Sequence, residues 1–382
     1  MASTRRTIQF ENNSPKVCYS GDLVRGKAEI YFPIPTRVQD IYLTFFGKGF
    51  CEWSEGGKQI IGSKTYLDER VDLLQNSSEA GVVIPSGNNS YPFEVRLPST
   101  IPTSYEGTLG YIRYCTALHI IGSTEKLDPL VEAFTVIHPL NLNNSPTYRE
   151  PMKVRKFTKF NISCCLFCVE SDELQLYARL PVRGYCSGQT INLKLDVINK
   201  SYQEVLRFLV QFIQEVTYTA NNGKQKVERI AFKKRVAEGV RADVKGRHTR
   251  KVNITVPSLP PTNFSADVCG SRYMFIVTAE TPMCHRNPSF EIPIVIGTSP
   301  ISSELYASMT DASDTNRASA PPLSAPNTSV NSTNVPHYPD GDPPTYEEAM
   351  RSVVAPKMTK DFLPKYPTYR GQTSYASDEP SD

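Results

Sequence analysis

Four residues near the C-terminal end have the types and spacing for peptide docking: Pro343-Pro344-Thr345-Tyr346, followed by Glu347-Glu348-Ala349. Adjacent prolines favour an extended polyproline II helix, which has little conformational entropy to lose on docking. Aromatic-lined grooves of the kind that WW domains present read such segments, and the tyrosine offers a side chain for a neighbouring slot. A weaker second tail motif follows at Pro364, Tyr366, Pro367 and Tyr369, in Pro364-Lys365-Tyr366-Pro367-Thr368-Tyr369, without the paired prolines. Both lie between Ser299 and Asp382, which holds 12 Pro and 6 Tyr in 84 residues. Ser, Thr, Asn, Asp and Pro crowd 302–342, and the apolar content is too low to build a core.

Two other stretches carry chemistry. Lys224–Lys251 holds 11 Lys/Arg against three acids, Glu228, Glu238 and Asp243, whereas the tail from Ser299 has 6 Lys/Arg against 11 Asp/Glu. The basic stretch, with Lys233, Lys234, Arg235, Lys245, Arg247, Arg250 and Lys251, reads as a hairpin face. It suits anionic lipid headgroups, each basic residue near such a surface contributing on the order of 1 kcal/mol. Phosphorylated cargo and the acidic tail are the alternatives. Aromatic interleaving is too sparse there for nucleic-acid binding.

The one cysteine cluster is Cys164, Cys165 and Cys168, with Cys186 further on. Phe167 and Leu166 interleave, so strand thiols are the plain expectation, with reversible palmitoylation and zinc as alternatives. Adjacent cysteines rarely reach one tetrahedral ion together, and no histidine is near. The five histidines are scattered, and no nucleophile motif, phosphate loop or metal spacing appears. No enzyme activity, metal or cofactor is expected.

The elements that must position these residues are strands. Val24, Ala28, Ile30 and Phe32 alternate with Arg25, Lys27, Glu29 and Tyr31, and Ile41, Leu43 and Phe45 alternate with Tyr42 and Thr44. Further strands are predicted over Ser90–Leu97, Gly110–Ile121 and Val131–Ile137, with Gly47, Gly49 and Gly56-Gly57 among the turn residues. No sustained helical period appears in the first 300 residues. Many short strands with Gly/Pro punctuation indicate an all-β sandwich.

The chain also repeats itself. Ser20-Gly21 matches Ser187-Gly188, and Ile41, Leu43 and Phe45 match Phe208, Val210 and Phe212, both at an offset of 167. Leu97-Pro98-Ser99 matches Val256-Pro257-Ser258, and Arg113-Tyr114 matches Arg272-Tyr273, both at 159. Two nearby offsets in the same order imply two copies of one domain, residues 1–150 and 151–298, ahead of a tail over 299–382. The N-terminal stretch lacks an apolar targeting segment, no apolar run approaches a membrane span, and nine cysteines do not suit a disulfide framework. A cytoplasmic protein is expected.

Several segments resemble arrestin-domain-containing proteins, the α-arrestin family. They are Val17-Cys18-Tyr19-Ser20-Gly21-Asp22-Leu23-Val24-Arg25-Gly26, Tyr91-Pro92-Phe93-Glu94-Val95 with Leu97-Pro98, Tyr105-Glu106-Gly107 with Ile112-Arg113-Tyr114, Gly184-Tyr185-Cys186-Ser187-Gly188-Gln189, and Ile292–Thr298. The resemblance implies an all-β fold of two arrestin-like, immunoglobulin-type β-sandwich domains in tandem, followed by a disordered C-terminal tail. It also implies a non-enzymatic adaptor. The domains engage membrane receptor or transporter cargo, while Pro343, Pro344 and Tyr346 recruit a WW-domain HECT E3 ubiquitin ligase. Ubiquitin-dependent endocytosis, transport and degradation follow, with recruitment to plasma membrane and endosomes. Family members commonly carry a second PPxY, which is not present here. Arg113 and Arg272 read as fold residues rather than phosphate sensors. The alternatives are a scaffold for phosphorylated receptors without a ligase, and a redox regulator like the thioredoxin-interacting members. Against the latter, the corresponding stretch, about Ala237–Gly246, holds no cysteine.

Overall fold

A computed structural model describes residues 4–11, 16–74, 81–122, 127–164, 167–170, 172–201, 203–241, 246–265, 267–282, 287–302 and 363–369; over 161–170 it describes backbone alone. The first half contributes β1 (Arg5–Phe10), β2 (Val17–Tyr19), β3 (Leu23–Phe32), β4 (Thr36–Glu55), β5 (Lys58–Asp72), β6 (Val82–Ile84), β7 (Gly87–Arg96), β8 (Tyr105–Glu106), β9 (Gly110–Gly122) and β10 (Leu130–Ile137). They form one sheet in the order β1-β3-β7 and another in the order β2-β10-β9-β4-β5, with β6 on β4 and β8 on β9.

The second half contributes β11 (Met152–Thr158), β12 (Asn161–Cys164), β13 (Phe167–Glu170), β14 (Leu174–Leu180), β15 (Gly184–Cys186), β16 (Thr190–Asn199), β17 (Val205–Thr219), β18 (Gln225–Val240), β19 (Arg247–Thr255), β20 (Cys269–Glu280) and β21 (Ser289–Gly297). Its sheets run β11-β14-β16-β19 and β15-β21-β20-β17-β18, with β12 and β13 as a separate pair.

Alternation builds each core. Val24, Ala28, Ile30 and Phe32 of β3 face Ile41, Leu43 and Phe45 of β4, with Phe93 and Phe134 beside them. Leu174, Leu176, Ala178 and Leu180 of β14 face Phe208, Val210, Phe212 and Phe275.

The repeat is a structural one. A short strand pairs in parallel with the closing strand in each half, β2 with β10 and β15 with β21. After it comes the same turn. Tyr19 C=O accepts from Asp22 N–H and Cys186 C=O from Gln189 N–H, both at 3.1 Å, with Gly21 at φ +89° and Gly188 at φ +91°. A positive φ at that third position suits glycine. The buried tyrosines also correspond: Tyr114 Oη donates to Pro102 C=O and Tyr273 Oη to Pro260 C=O, both at 2.7 Å.

Two sequence expectations change. Gly47 and Gly49 lie inside β4 rather than in turns. The Tyr114 ring covers Gly47 so closely that a Cβ would lie 2.4 Å from it, and the register shifts beside it, between Gly47 and Lys48. Glycine here serves close approach rather than chain reversal. Packed chain also continues beyond residue 298. Ile301 is buried in the second core, Ser299 bridges Asn141, and Leu363–Tyr369 lies against both sandwiches.

The connection is short and anchored. A 3₁₀ turn (Leu142–Asn144) and a single-turn helix (Pro146–Arg149) link the halves. Leu142 is fully buried against Gly184 and Gly297, where any Cβ would lie within 3 Å of it.

Candidate functional site

Pro343, Pro344 and Tyr346 lie outside the described residues, as do Cys165 and Lys245. The other predicted residues fall in three places.

Cys164 and Cys168 sit on the paired strands β12 and β13, with Ser163 opposite Cys168. Elsewhere Cys18, Cys51, Cys115, Cys186 and Cys269 are free and buried. Burial pushes the Cys18 and Cys115 thiols up to about 12 and Cys51 to about 11. Such thiols hold their protons at neutral pH and make poor nucleophiles or metal ligands. Among the described residues no cluster of His, Cys, Asp and Glu is arranged to hold a metal.

The basic residues are not one hairpin. β18 and β19 are edge strands of different sheets, brought side by side by the sandwich. Lys234, Arg235 and Lys251 are exposed, while Lys233 Nζ donates to Thr255 C=O at 2.8 Å. Arg250 is spent on fold, donating to the carbonyls of Glu238 and Gly239.

Arg247 joins a different constellation. Its guanidinium meets the fully buried Asp196 at 2.7 Å, Arg179 meets the same oxygen at 2.6 Å, and Thr249 donates to the other at 2.6 Å. Burial alone would raise the Asp196 carboxyl. The hydrogen bonds from Thr249 and Arg247 and the charges of Arg179 and Arg247 instead hold it below the usual carboxylate range. The same two arginines help line a pocket of about 430 Å³, together with Lys153, Val154, Arg155, Tyr177 and Ala178. Arg179 and Arg247 share one carboxylate, and with Lys153 and Arg155 also lining the pocket the cavity keeps a net positive charge, which suits an anionic group. Lys153, Arg155 and Arg179 escaped the sequence reading because they look like the solvent-facing half of alternating strands. Lys153 opposite Arg179 is a like-charge pair that register alone reveals.

The third place is the seam between the sandwiches. Val216, Tyr218, Ala220, Val268 and Cys269 of the second half pack into the core of the first, beside Cys51, Trp53, Tyr105 and Ile112. Polar bonds cross there too. Asn221 N–H donates to Ile61 C=O at 3.1 Å, Thr108 Oγ1 to Glu228 at 2.6 Å, and Lys64 pairs with Asp267 at 2.8 Å. Nearby, buried Arg113 forms a two-pronged ion pair with Glu106. Burial raises the Glu106 carboxyl, and Arg113 only partly offsets it.

Onto this seam folds the second tail motif. Lys365 N–H donates to Thr135 Oγ1 at 3.2 Å and Tyr366 Oη to Ser104 C=O at 2.9 Å, both acceptors on the first sandwich. Tyr366 C=O accepts from Ser258 Oγ at 3.0 Å, and Tyr369 N–H donates to Ser187 C=O at 2.9 Å, both on the second. Lys365 and Pro367 are buried, and Tyr369 packs against the second core.

Two halves of one sandwich design, joined by a plugged linker, match two family descriptions. The N-terminal domain of Arrestin (or S-antigen) matches residues 6–143, and the C-terminal domain of Arrestin (or S-antigen) matches residues 170–301. The chain belongs to the arrestin-domain-containing proteins. Among relatives of this arrestin-domain protein, Arrestin domain-containing protein 17 of Caenorhabditis elegans is 26% identical over 313 residues, 77% of this chain and 70% of that protein. Arrestin domain-containing protein 4 of Mus musculus is 28% identical over 316 residues, 77% and 72% of the two chains. Arrestin domain-containing protein 1 of Rattus norvegicus is 28% identical over 249 residues, 64% of this chain; the match spans about half, 54%, of that protein. The arrestin-type sandwich pair therefore positions every described site: the basic pocket belongs to the second domain, and the tail site needs both.

Proposed function

We propose that this protein is a non-enzymatic adaptor. Its arrestin domains hold membrane cargo, a receptor or transporter, while Pro343, Pro344 and Tyr346 dock a WW-domain HECT E3 ubiquitin ligase. Ubiquitin transfer then directs endocytosis, transport and degradation of the cargo, with the cytoplasmic adaptor recruited to plasma membrane and endosomes. The observation that carries this reading is the PPxY sequence downstream of two arrestin domains in one chain. Tyr346→Ala should abolish capture of the full chain by recombinant WW domains, and undiminished capture would refute the assignment. A single such contact buries little surface, so its affinity should be on the order of micromolar.

The basic pocket favours a second reading of how cargo is held: Lys153, Arg155, Arg179 and Arg247 gather where a phosphorylated peptide or lipid headgroup would be neutralised. In the ligase-free version of this reading, charge reversal at Lys153 and Arg155 removes receptor binding, while Tyr346→Ala leaves receptor turnover unchanged.

A further inference from the structure

The segment Leu363–Tyr369 combines features of a specific ligand rather than of a stretch that happens to lie nearby. Its main-chain amides at Lys365 and Tyr369 and its carbonyl at Tyr366 are each paired with the sandwiches. The acceptors come from both domains, Ser104 and Thr135 on one side and Ser187 on the other, so neither domain alone presents the site. Tyr366 reaches into the seam: burial pushes its phenol far above the ordinary tyrosine range, with Tyr273, Tyr105 and Glu106 adding to the shift. Gly188 completes the fit. A Cβ there would lie 2.4 Å from the Tyr369 carbonyl oxygen, whereas at the equivalent Gly21 it would meet only Ser99 atoms, at 3.6 and 3.7 Å.

We propose that the seam between the two arrestin domains is a binding site for an extended Pro-Lys-Tyr-Pro-Thr-Tyr peptide, and that residues Pro364–Tyr369 of this same chain occupy it as a strap. Residues 303–362 separate the strap from Ser302, a length ample for return within one molecule. The strap ties the domains together and makes two events mutually exclusive. While Tyr366 donates to Ser104, neither it nor Tyr369 is open to an aromatic groove or a modifying enzyme, and once the strap leaves, the seam is free for a peptide of the same pattern. Lys365 keeps the arrangement releasable: its ammonium is buried and has no hydrogen-bond partner among the described residues, an unfavourable environment for a charge. The inference stands apart from ligase recruitment, since it concerns residues other than Pro343, Pro344 and Tyr346.

Hydrogen exchange on the full chain tests it. The amides of Lys365 and Tyr369 should exchange at least about tenfold more slowly than in the free heptapeptide Leu363–Tyr369. Tyr366→Ala should return both to the free rate while amides of β17 and β20 stay protected. A fluorescent copy of the heptapeptide should bind the Tyr366→Ala chain roughly ten- to a hundredfold more tightly than the wild-type chain, because a tethered competitor acts at an effective concentration near millimolar. Free-rate exchange in the wild type, or equal heptapeptide affinity for the two chains, would overturn the strap. Protection that grows with protein concentration would also overturn it, by showing that a second copy supplies the segment.

Discussion

The two arrestin domains share a turn, a buried tyrosine bonded to a proline carbonyl and the strand order of their larger sheet, yet their corresponding arginines are used differently. Arg113 in the first domain is almost fully enclosed and has Glu106 as its acid, at the seam. Arg272, at the equivalent place, is largely exposed and shares Glu215 with Arg229, which also reaches Glu291. Burial therefore dominates Glu106 and raises it. At Glu215 burial is outweighed by the hydrogen bonds and charges of Arg272 and Arg229, which hold the carboxyl low. The difference teaches that two copies of one frame give equivalent arginines different surroundings: Arg113 is enclosed near the seam with an acid that burial raises, while the exposed Arg272 shares its buried acid with Arg229.

The sharpest way to break this comparison is to remove each arginine. Arg113→Ala leaves Glu106 with no compensating charge in a buried site and should destabilise by about 3–5 kcal/mol. Arg272→Ala leaves Glu215 its Arg229 partner and removes an exposed group, so the loss should stay near 1 kcal/mol. Denaturation midpoints measure both, and equal shifts would abolish the distinction.

A smaller effect separates the two glycine turns. Ala at either position adopts an unfavourable φ and should cost about 1–3 kcal/mol. Only Gly188→Ala should also release the Tyr369 amide to hydrogen exchange, because only there does the tail lie within reach of a Cβ. Release by both substitutions, or by neither, would show that the second turn has no special relation to the tail.

The mildest contrast appears on acidification. A carboxyl held low in the fold contributes stability that is present above its unfolded value of about 4 and is lost as pH falls through the folded value. Asp196 and Glu215 are both of this kind and both lie in the second domain. Glu106 has the opposite sign: its folded value is raised, so protonation favours the fold as pH falls. Exchange protection measured from pH 6 to pH 3 should therefore fall first in β17 and β20 and later in β4 and β9. Simultaneous loss would remove the asymmetry.

Much of this was legible in the residues. Alternation placed β3, β7, β9 and β10 within a few residues of their observed ends, and the offsets of 167 and 159 anticipated the shared turn and the paired tyrosines. Glycine misled inside β4, because a residue that permits a turn also permits a ring to lie on the backbone, and sequence does not say which. The basic stretch misled as well: residues on β18 and β19 are near neighbours in the chain, but the sandwich sends the two strands to different sheets.

What the sequence determined by itself was local and periodic: strand alternation, the duplicated frame, and the presence of the Pro-Pro-Thr-Tyr motif. What only the tertiary structure decided depends on groups far apart in the chain. The basic pocket beside the Asp196 cluster draws on strands spread from Lys153 to Arg247, and the acceptors for Tyr366 and Tyr369 come from opposite domains. A backbone carbonyl such as that of Ser104 or Ser187 has no side-chain signature. Its value as an acceptor arises only when packing leaves it facing a seam that another segment can fill.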